Sequence, residues 1–185
     1  MSSHHFVKEG QEPTLIILSI LPASFEHVLS LLEWSPKVLV ADSSLETVLH
    51  WGIKIDGVIV QQSQRHRWQQ ELKDQEPLHW MEYPNGSLRG TLTALSSLNN
   101  QKLQIVDDEE ILPLPDLQTL ACDAIAVIRH SLRWSLIAGG KWTKWVPAGT
   151  ILLVVYDGNT SEQMVPHDGN HTIILPSPFW VGELL

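Results

Sequence analysis

Two short polar segments each come directly after an apolar run of strand length. Asp42-Ser43-Ser44 follows Val38–Ala41, and Gln61-Gln62-Ser63 follows the apolar run that ends at Val60. A carboxylate beside hydroxyl groups suits a hydrated cation, whereas the free N–H groups at the start of a helix suit a phosphate or carboxylate. Asp and Ser are also common helix N-cap residues, which gives the first segment a purely structural alternative. The residue types leave both interpretations open.

A strand-helix-strand unit from Val38 to Gln64 would place both segments at one edge of a sheet. Apolar residues at helical spacing follow Ser44, and Gly52 is a suitable helix stop. Short links between the strands favour a right-handed parallel crossover. Ligands bind at the carboxyl ends of the strands in such sheets, so these two segments are the predicted ligand-binding positions.

The residues on both sides of this unit extend the same pattern. Thr14–Ile20 is predicted to be a first buried strand, and Pro22–Trp34 an amphipathic helix. A short exposed helix is predicted from about Arg67 to Asp74, followed by a strand at Leu78–Tyr83. We therefore predict a parallel α/β domain over residues 1–100.

The second part of the chain, residues 101–185, shows strand-length runs separated by turn residues. Seven such runs without helical periodicity predict a β-sandwich domain. The predicted strands are Leu103–Val106, Ile111–Leu114, Ala124–Ile128, Trp134–Ala138, Trp142–Val146, Ile151–Tyr156 and His171–Leu175. The predicted fold class is α/β, with a small parallel Rossmann-like α/β layer followed by a C-terminal β-sandwich.

The segment around Asp42 resembles the N-terminal motif block of thiamin pyrophosphokinases. That family typically reads A-D-G-G-A-N, a helix ending in G-I, then P-D and a strand leading into G-D-F-D-S. Ala41-Asp42, Gly52-Ile53 and Asp56 match this pattern without a gap. Ser43-Ser44 stand in place of two glycines, and Gln61-Gln62-Ser63-Gln64 stand in place of D-F-D-S. The scaffold positions match, and the departures fall on the positions that carry the chemistry.

A second family signature, G-G-R-x-D-H-x-L-A-N, opens a helix close to Gly86–Leu98. Leu88-Arg89-Gly90-Thr91-Leu92 is similar to it, with Arg89 in place of the aspartate. The family's D-x-T-D element has no counterpart. The resemblance also implies a C-terminal β-sandwich that forms a homodimer and contributes to the thiamin site, where Thr160-Ser161-Glu162 is the segment nearest to the family's Ser-Asn-Glu element.

The resemblance implies a reaction that moves a pyrophosphoryl group from ATP to thiamin, with Mg²⁺ held by clustered carboxylates. Asp42 is kept, but Gln61 and Ser63 supply no charge, so we predict no metal site and name no cofactor. The favoured hypothesis is a thiamin pyrophosphokinase-like pseudoenzyme that binds a ligand or partner without turnover. One alternative is an active, divergent transferase that uses Mg²⁺ and ATP, with Asp42 as its catalytic carboxylate. The other is a structural dimeric interaction protein.

The predicted ligand is a small anion or a thiamin-like molecule. Its predicted contacts are Asp42, Ser43, Ser44, Gln61, Ser63, Arg89 and Thr91. We also predict a homodimer, because large aromatic residues of the sandwich, Trp142, Trp145 and Trp180, exceed what a small domain buries easily.

Composition excludes several classes of protein. A net charge of −9 over 185 residues argues against a nucleic-acid partner. No apolar run is long enough to predict a membrane span, and a single cysteine, Cys122, fits the reducing cytoplasm. Arg65-His66-Arg67 is basic enough to meet a phosphate, although a solvated loop is the favoured interpretation. The acidic run Asp107–Glu110 is interpreted as a solvated turn, because consecutive carboxylates in extended chain point in alternate directions.

Overall fold

A computed structural model of the chain describes residues 13–83, residue 95 and residues 102–185. The strands of these regions are β1 (Thr14–Ser19), β2 (Val38–Ala41), β3 (Gly57–Gln61), β4 (His79–Tyr83), β5 (Lys102–Asp107), β6 (Ala124–Arg129), β7 (Leu132–Ile137), β8 (Lys141–Val146), β9 (Ile151–Tyr156), β10 (Asn159–Met164), β11 (Gly169–Ile174) and β12 (Phe179–Leu184). The helices, numbered in chain order within the same regions, are α1 (Phe25–Leu32), α2 (Leu45–His50), α3 (Arg65–Glu71) and α4 (Leu114–Leu117).

The large sheet has the order β10-β9-β12-β7-β6-β5-β1-β2-β3-β4. The six strands from β4 to β6 pair in parallel, and the strands from β6 to β10 pair in antiparallel fashion. β8 and β11 form a separate antiparallel pair. The predicted fold class is therefore confirmed, because a parallel α/β layer is followed by antiparallel strands.

The strand-helix-strand unit from Val38 to Gln64 forms as predicted. β2 and β3 pair in parallel, with Leu39 opposite Gly57. Gly57 has to be glycine at this point, because a Cβ atom would lie 2.7 Å from the carbonyl oxygen of His79 and 2.7 Å from Cδ2 of Leu39. Gly52 ends the helix with a φ of +70°, in the left-handed region.

Six of the seven strands predicted in the second part of the chain are present, one prediction was wrong, and two of the six pair with other strands than expected. β5 pairs with β1 and β6 with β5, both in parallel, so these two strands belong to the α/β layer and not to the sandwich. Ile111–Leu114 is not a strand, because the N–H groups of Ile111 and Leu112 donate to the Asp107 carboxylate and α4 begins at Leu114. β10 and β12 were not predicted. The division into domains near residue 100 stays a prediction.

Three apolar clusters form the core of the described regions. One lies between the parallel strands and α1, α2 and α3, and includes Val28, Val48 and Trp68. The second lies on the opposite face of the large sheet, which the 112–120 segment covers in part, and it extends to Trp134 and Trp180. The third joins the antiparallel strands to the β8–β11 pair. No helix of residues 13–83, 95 and 102–185 has the length and apolarity needed to cross a membrane.

Candidate functional site

A cavity of about 400 Å³ lies where β2, β3 and β4 end, and we call it the Asp42 cleft. The polypeptide leaves each of the first two strands through a 3₁₀ turn, Asp42–Ser44 after β2 and Gln62–Gln64 after β3. The residues lining the cleft are Asp42, Ser43, Glu46, Gln61, Gln64, Arg67, Trp68 and Tyr83. The position agrees with the general location of ligand sites at the carboxyl ends of parallel strands.

The Asp42 carboxylate joins the three strand ends. Its Oδ2 atom accepts a hydrogen bond from the backbone N–H of Gln61, at 3.1 Å. Its Oδ1 atom accepts one from the hydroxyl group of Tyr83, at 2.9 Å. Both oxygens are therefore already engaged by the chain itself, and part of their capacity to bind a cation is used.

The two serines after Asp42 bind back to the first strand. The hydroxyl groups of Ser43 and Ser44 both donate to the carbonyl oxygen of Leu18, at 3.0 and 3.2 Å. Because each hydroxyl has a single proton, neither serine can donate to an anion while this arrangement holds. The serines thus fix the turn to β1, which favours the structural interpretation of this segment.

The remaining predicted contacts are distributed differently. Gln61 lines the Asp42 cleft, whereas Ser63 is exposed on the following turn and is not part of the cleft wall. Arg89 and Thr91, together with the helix predicted over Gly86–Leu98, lie outside the described residues apart from Leu95, which is helical and buried.

Tyr83 is a cleft residue that the sequence analysis missed. Burial raises the pKa of its phenol to about 12, and the hydrogen bond to Asp42 and the negative charge of Asp42 act in the same direction. The hydroxyl group is therefore protonated at neutral pH and serves Asp42 as a donor. The signal that could have identified it is its position as the last residue of the predicted strand Leu78–Tyr83, since strand ends define this edge of the sheet.

The basic segment after β3 does not provide an uncompensated cation. Arg67 forms ion pairs with Glu46, at 3.0 Å, and with Glu71, at 2.9 Å, and its guanidinium group lies 4.7 Å from the centre of the Trp68 ring. Arg65 is paired with Glu82. Within the Asp42 cleft, Asp42 and Glu46 outnumber Arg67, so the described charges leave the cleft formally negative by one unit.

Asp107 and Asp108 are not solvated, contrary to the sequence interpretation, since they are 0% and 2% exposed. Oδ1 of Asp107 accepts from the Ser19 hydroxyl and the N–H of Ile111, and Oδ2 accepts from the N–H of Leu112 and from Arg129, at 3.1 Å. Only Glu109 and Glu110 of the acidic run are exposed.

Asp108 makes a second set of contacts on the other side of the chain. Oδ2 accepts hydrogen bonds from the N–H of Leu21 and the hydroxyl of Ser24, and Oδ1 accepts one from the N–H of His130.

β1 and β5 are neighbours at the point where the strand order reverses, which is the usual ligand crevice of an open α/β sheet. Here the chain's own donors fill that position.

No cluster of three or more His, Cys, Asp or Glu side chains suited to a metal ion occurs in the part of the chain that the structure describes. Asp56 lies at the opposite edge of the sheet from Gln61, where its carboxylate accepts the N–H of Val38 at 2.8 Å. Its role there is structural.

No protein-family model and no curated protein matches this sequence. Solved structures with the same fold include thiamine pyrophosphokinases. The structure of the enzyme from Bacillus subtilis superposes with a TM-score of 0.59 at 10% identity, over 93% of this chain and 98% of the other. The enzyme from Geobacillus thermodenitrificans gives 0.56 at 9% identity, over 93% and 97%. A probable thiamine pyrophosphokinase from Staphylococcus saprophyticus gives 0.50 at 10% identity, over 92% and 98%. The chain therefore has the fold of the thiamin pyrophosphokinases, which confirms at the level of the fold the resemblance carried by Ala41-Asp42, Gly52-Ile53 and Asp56.

Proposed function

We propose that this thiamin pyrophosphokinase-like protein binds a thiamin-like ligand in the Asp42 cleft and does not transfer pyrophosphate. The observation that carries the proposal is the state of Asp42. Of the two carboxylates kept from the motif block, Asp42 and Asp56, it is the one at this end of the strands, and Tyr83 and the Gln61 N–H occupy its two oxygens. A pyrophosphoryl donor with Mg²⁺ needs several free carboxylates at this point.

The charges of the cleft support a cation or a neutral hydrogen-bond donor over an anion. Asp42 and Glu46 face the cavity, the only cation among the described lining residues is the ion-paired Arg67, and the hydroxyls of Ser43 and Ser44 are used by Leu18. Of the two ligand types predicted from the sequence, we therefore propose the thiamin-like one, since thiamin carries a positive charge.

Thermal unfolding with added ligands tests the binding proposal. Thiamin at about 100 times its dissociation constant should raise Tm by about 5 °C or more, because ligand binding to the native state stabilises it by about 2.7 kcal/mol. The increase should not depend on Mg²⁺, and ATP should give none. Asp42→Asn keeps the shape of the side chain but removes its charge, so it should weaken thiamin binding by at least about tenfold.

Asp74→Asn is the matched control, since Asp74 is an exposed carboxylate outside the cleft. It should bind thiamin as the wild-type protein does. A Tm increase with ATP and Mg²⁺ but none with thiamin would reverse the proposed ligand preference. Equal losses in Asp42→Asn and Asp74→Asn would place the ligand elsewhere.

We also propose a homodimer, on a different surface from the one that the tryptophans predicted. Of the three tryptophans on which that prediction rested, Trp142 and Trp180 are buried within the chain, and Trp145, at 58%, is exposed. The outer face of the large sheet offers a better interface. In its antiparallel half, Ile151 pairs with Met164 and Leu132 pairs with Leu184.

The strand register places these four side chains on the face that carries Trp134. Met164 and Leu184 are 71% and 66% exposed, and Ile151 is also exposed. A group of exposed apolar side chains on one face is typical of a protein–protein contact. We propose that a second copy of the chain covers this face.

Light scattering at micromolar concentration tests the dimer. The wild-type protein should have twice the chain mass of 20.8 kDa. The double variant Ile151→Glu/Leu184→Glu should be monomeric, because two buried charges per chain oppose the contact. Ile174→Glu is the matched control on the β8–β11 pair, where Ile174 is 71% exposed, and it should remain dimeric. A monomeric wild-type protein would contradict the proposal.

We also propose that the protein is cytoplasmic, because its single cysteine, Cys122, is a free thiol, which fits a reducing compartment. Burial and the charge of Asp123 raise the pKa of this thiol, so it is a poor nucleophile at neutral pH.

A further inference from the structure

A larger cavity, of about 780 Å³, lies at the opposite edge of the sheet from the Asp42 cleft, and we call it the amino-edge groove. It is bounded by Leu29 and Leu32 of α1, by the link that leads into β2 at Val38, and by the link from Trp51 to Lys54 that follows α2. Its volume falls within the range of about 300–1,000 Å³ that is usual for small-molecule sites.

Two lysines give this groove a local positive charge. Lys37 and Lys54 both line it, although the protein as a whole carries a net charge of −9. The carboxylate in the groove, Asp56, is committed to the N–H of Val38 at 2.8 Å. Neither lysine ammonium has a hydrogen bond or an ion pair within the described part of the chain. The groove thus offers two available cations beside one carboxylate that is already bonded.

The lysines are not needed to cap the helices that end here. The carbonyl oxygen of Leu32, at the end of α1, accepts the N–H of Ser35 at 2.9 Å. The carbonyl oxygen of Leu49, at the end of α2, accepts the N–H of Gly52 at 3.0 Å. Because backbone N–H groups already satisfy these terminal carbonyls, the ammonium groups are available to another acceptor.

The wall of the groove is apolar and aromatic. Leu29 is 38% exposed, and Leu32 and Trp51, which pack against the core, are half-buried. The Trp51 ring is held by Phe25, with the ring centroids 4.9 Å apart at an interplanar angle of 53°. A ring that is already fixed in place loses little conformational entropy when a second ring packs against it.

We propose that the amino-edge groove binds a small aromatic carboxylate. Lys37 and Lys54 bind the carboxylate group, and Trp51 with Leu29 contacts the ring. The groove and the Asp42 cleft lie at opposite ends of the parallel strands, so this proposal does not depend on the proposed function of the cleft.

Isothermal titration with a matched pair of probes, 2-naphthoate and 2-naphthamide, tests the proposal. The two molecules share one ring system and differ in charge. We expect 2-naphthoate to bind once per chain and at least about fivefold more tightly than 2-naphthamide, because charge-assisted hydrogen bonds are stronger than neutral ones. In the variant Lys37→Gln/Lys54→Gln the ratio of the two affinities should fall to about one.

Three further variants locate the site. Lys73→Gln/Lys141→Gln removes two exposed lysines that lie outside the groove, and it should keep the wild-type ratio. Leu29→Glu places a carboxylate in the wall, so it should abolish naphthoate binding. Asp42→Asn should leave that binding unchanged. The proposal is overturned if the two probes bind equally well to the wild-type protein, if the ratio survives Lys37→Gln/Lys54→Gln, or if naphthoate shows no saturable binding at millimolar concentration.

Discussion

Asp107→Ala is expected to lower the free energy of unfolding by about 3–5 kcal/mol, which is a large part of the stability of a domain of this size. Asp107 is fully buried and accepts four hydrogen bonds, from Ser19, Ile111, Leu112 and Arg129. Arg129 is a buried residue, 6% exposed, and removing Asp107 leaves its guanidinium with the Leu112 carbonyl and a long contact of 3.7 Å to Glu110 as its described partners. A buried charge that loses its close ion-pair partner and keeps only such a long contact is strongly destabilising.

Urea denaturation measures the loss of stability in Asp107→Ala. Two further variants serve as a control and as a test of the ion pair. Glu109→Ala removes an exposed carboxylate from the same acidic run and should change the free energy of unfolding by about 0.5 kcal/mol or less. Asp107→Ala/Arg129→Met removes both charges, so it should recover part of the loss. A double variant that is less stable than Asp107→Ala, or a loss under about 1 kcal/mol in Asp107→Ala, would show that the ion pair does not hold β5 against β1 and β6.

The first half of the sheet was predictable because its signals are local. Val38–Ala41 is a continuous apolar run, Gly52 ends a short helix, and the links are short enough to require a parallel crossover. The position of β5 was not predictable in this way. Its pairing with β1 joins residues almost 90 positions apart, and an apolar run of its length fits a sandwich strand equally well.

Contacts between residues distant in sequence also explain why the burial of Asp107 and Asp108 was not predicted. Consecutive carboxylates do point in different directions, as expected, but each meets donors from distant segments: Ser19 and Arg129 for Asp107, Ser24 and His130 for Asp108. Nothing in the acidic run itself indicates those partners. β10 was missed because all six of its side chains are exposed and five of them are polar, with Met164 as the sixth. No apolar alternation therefore marks it as a strand.

The candidate site was predictable to the extent that strand ends define it. The chain brings Asp42 and the N–H of Gln61 together because both follow adjacent parallel strands. Tyr83 was missed because an aromatic residue at the end of an apolar run suits the core equally well. The residue is buried, but its hydroxyl still reaches Asp42, and this detail depends on tertiary packing.

The second large effect is expected in catalysis: ATP and thiamin with millimolar Mg²⁺ should give no detectable release of AMP. The motif positions of two carboxylates hold Gln61 and Ser63, which bring no charge to a metal ion. Asp42 has both oxygens engaged, and Arg67 offsets Glu46. Each metal contact that is lost costs on the order of 1.4 kcal/mol of transition-state stabilisation, and every such loss slows the reaction by about tenfold.

A coupled assay for AMP measures this directly, and three variants make the result informative in either direction. Gln61→Asp/Ser63→Asp restores two carboxylates at the end of β3, so Mg²⁺ should raise Tm in that variant and leave the wild-type Tm unchanged, because only the restored site holds enough negative charge for the ion. Wild-type turnover that disappears in Asp42→Ala and persists in Asp74→Ala would mean that Asp42 exchanges its bonds to Tyr83 and Gln61 for the metal. The active, divergent transferase would then replace the non-catalytic protein as the function of this cleft.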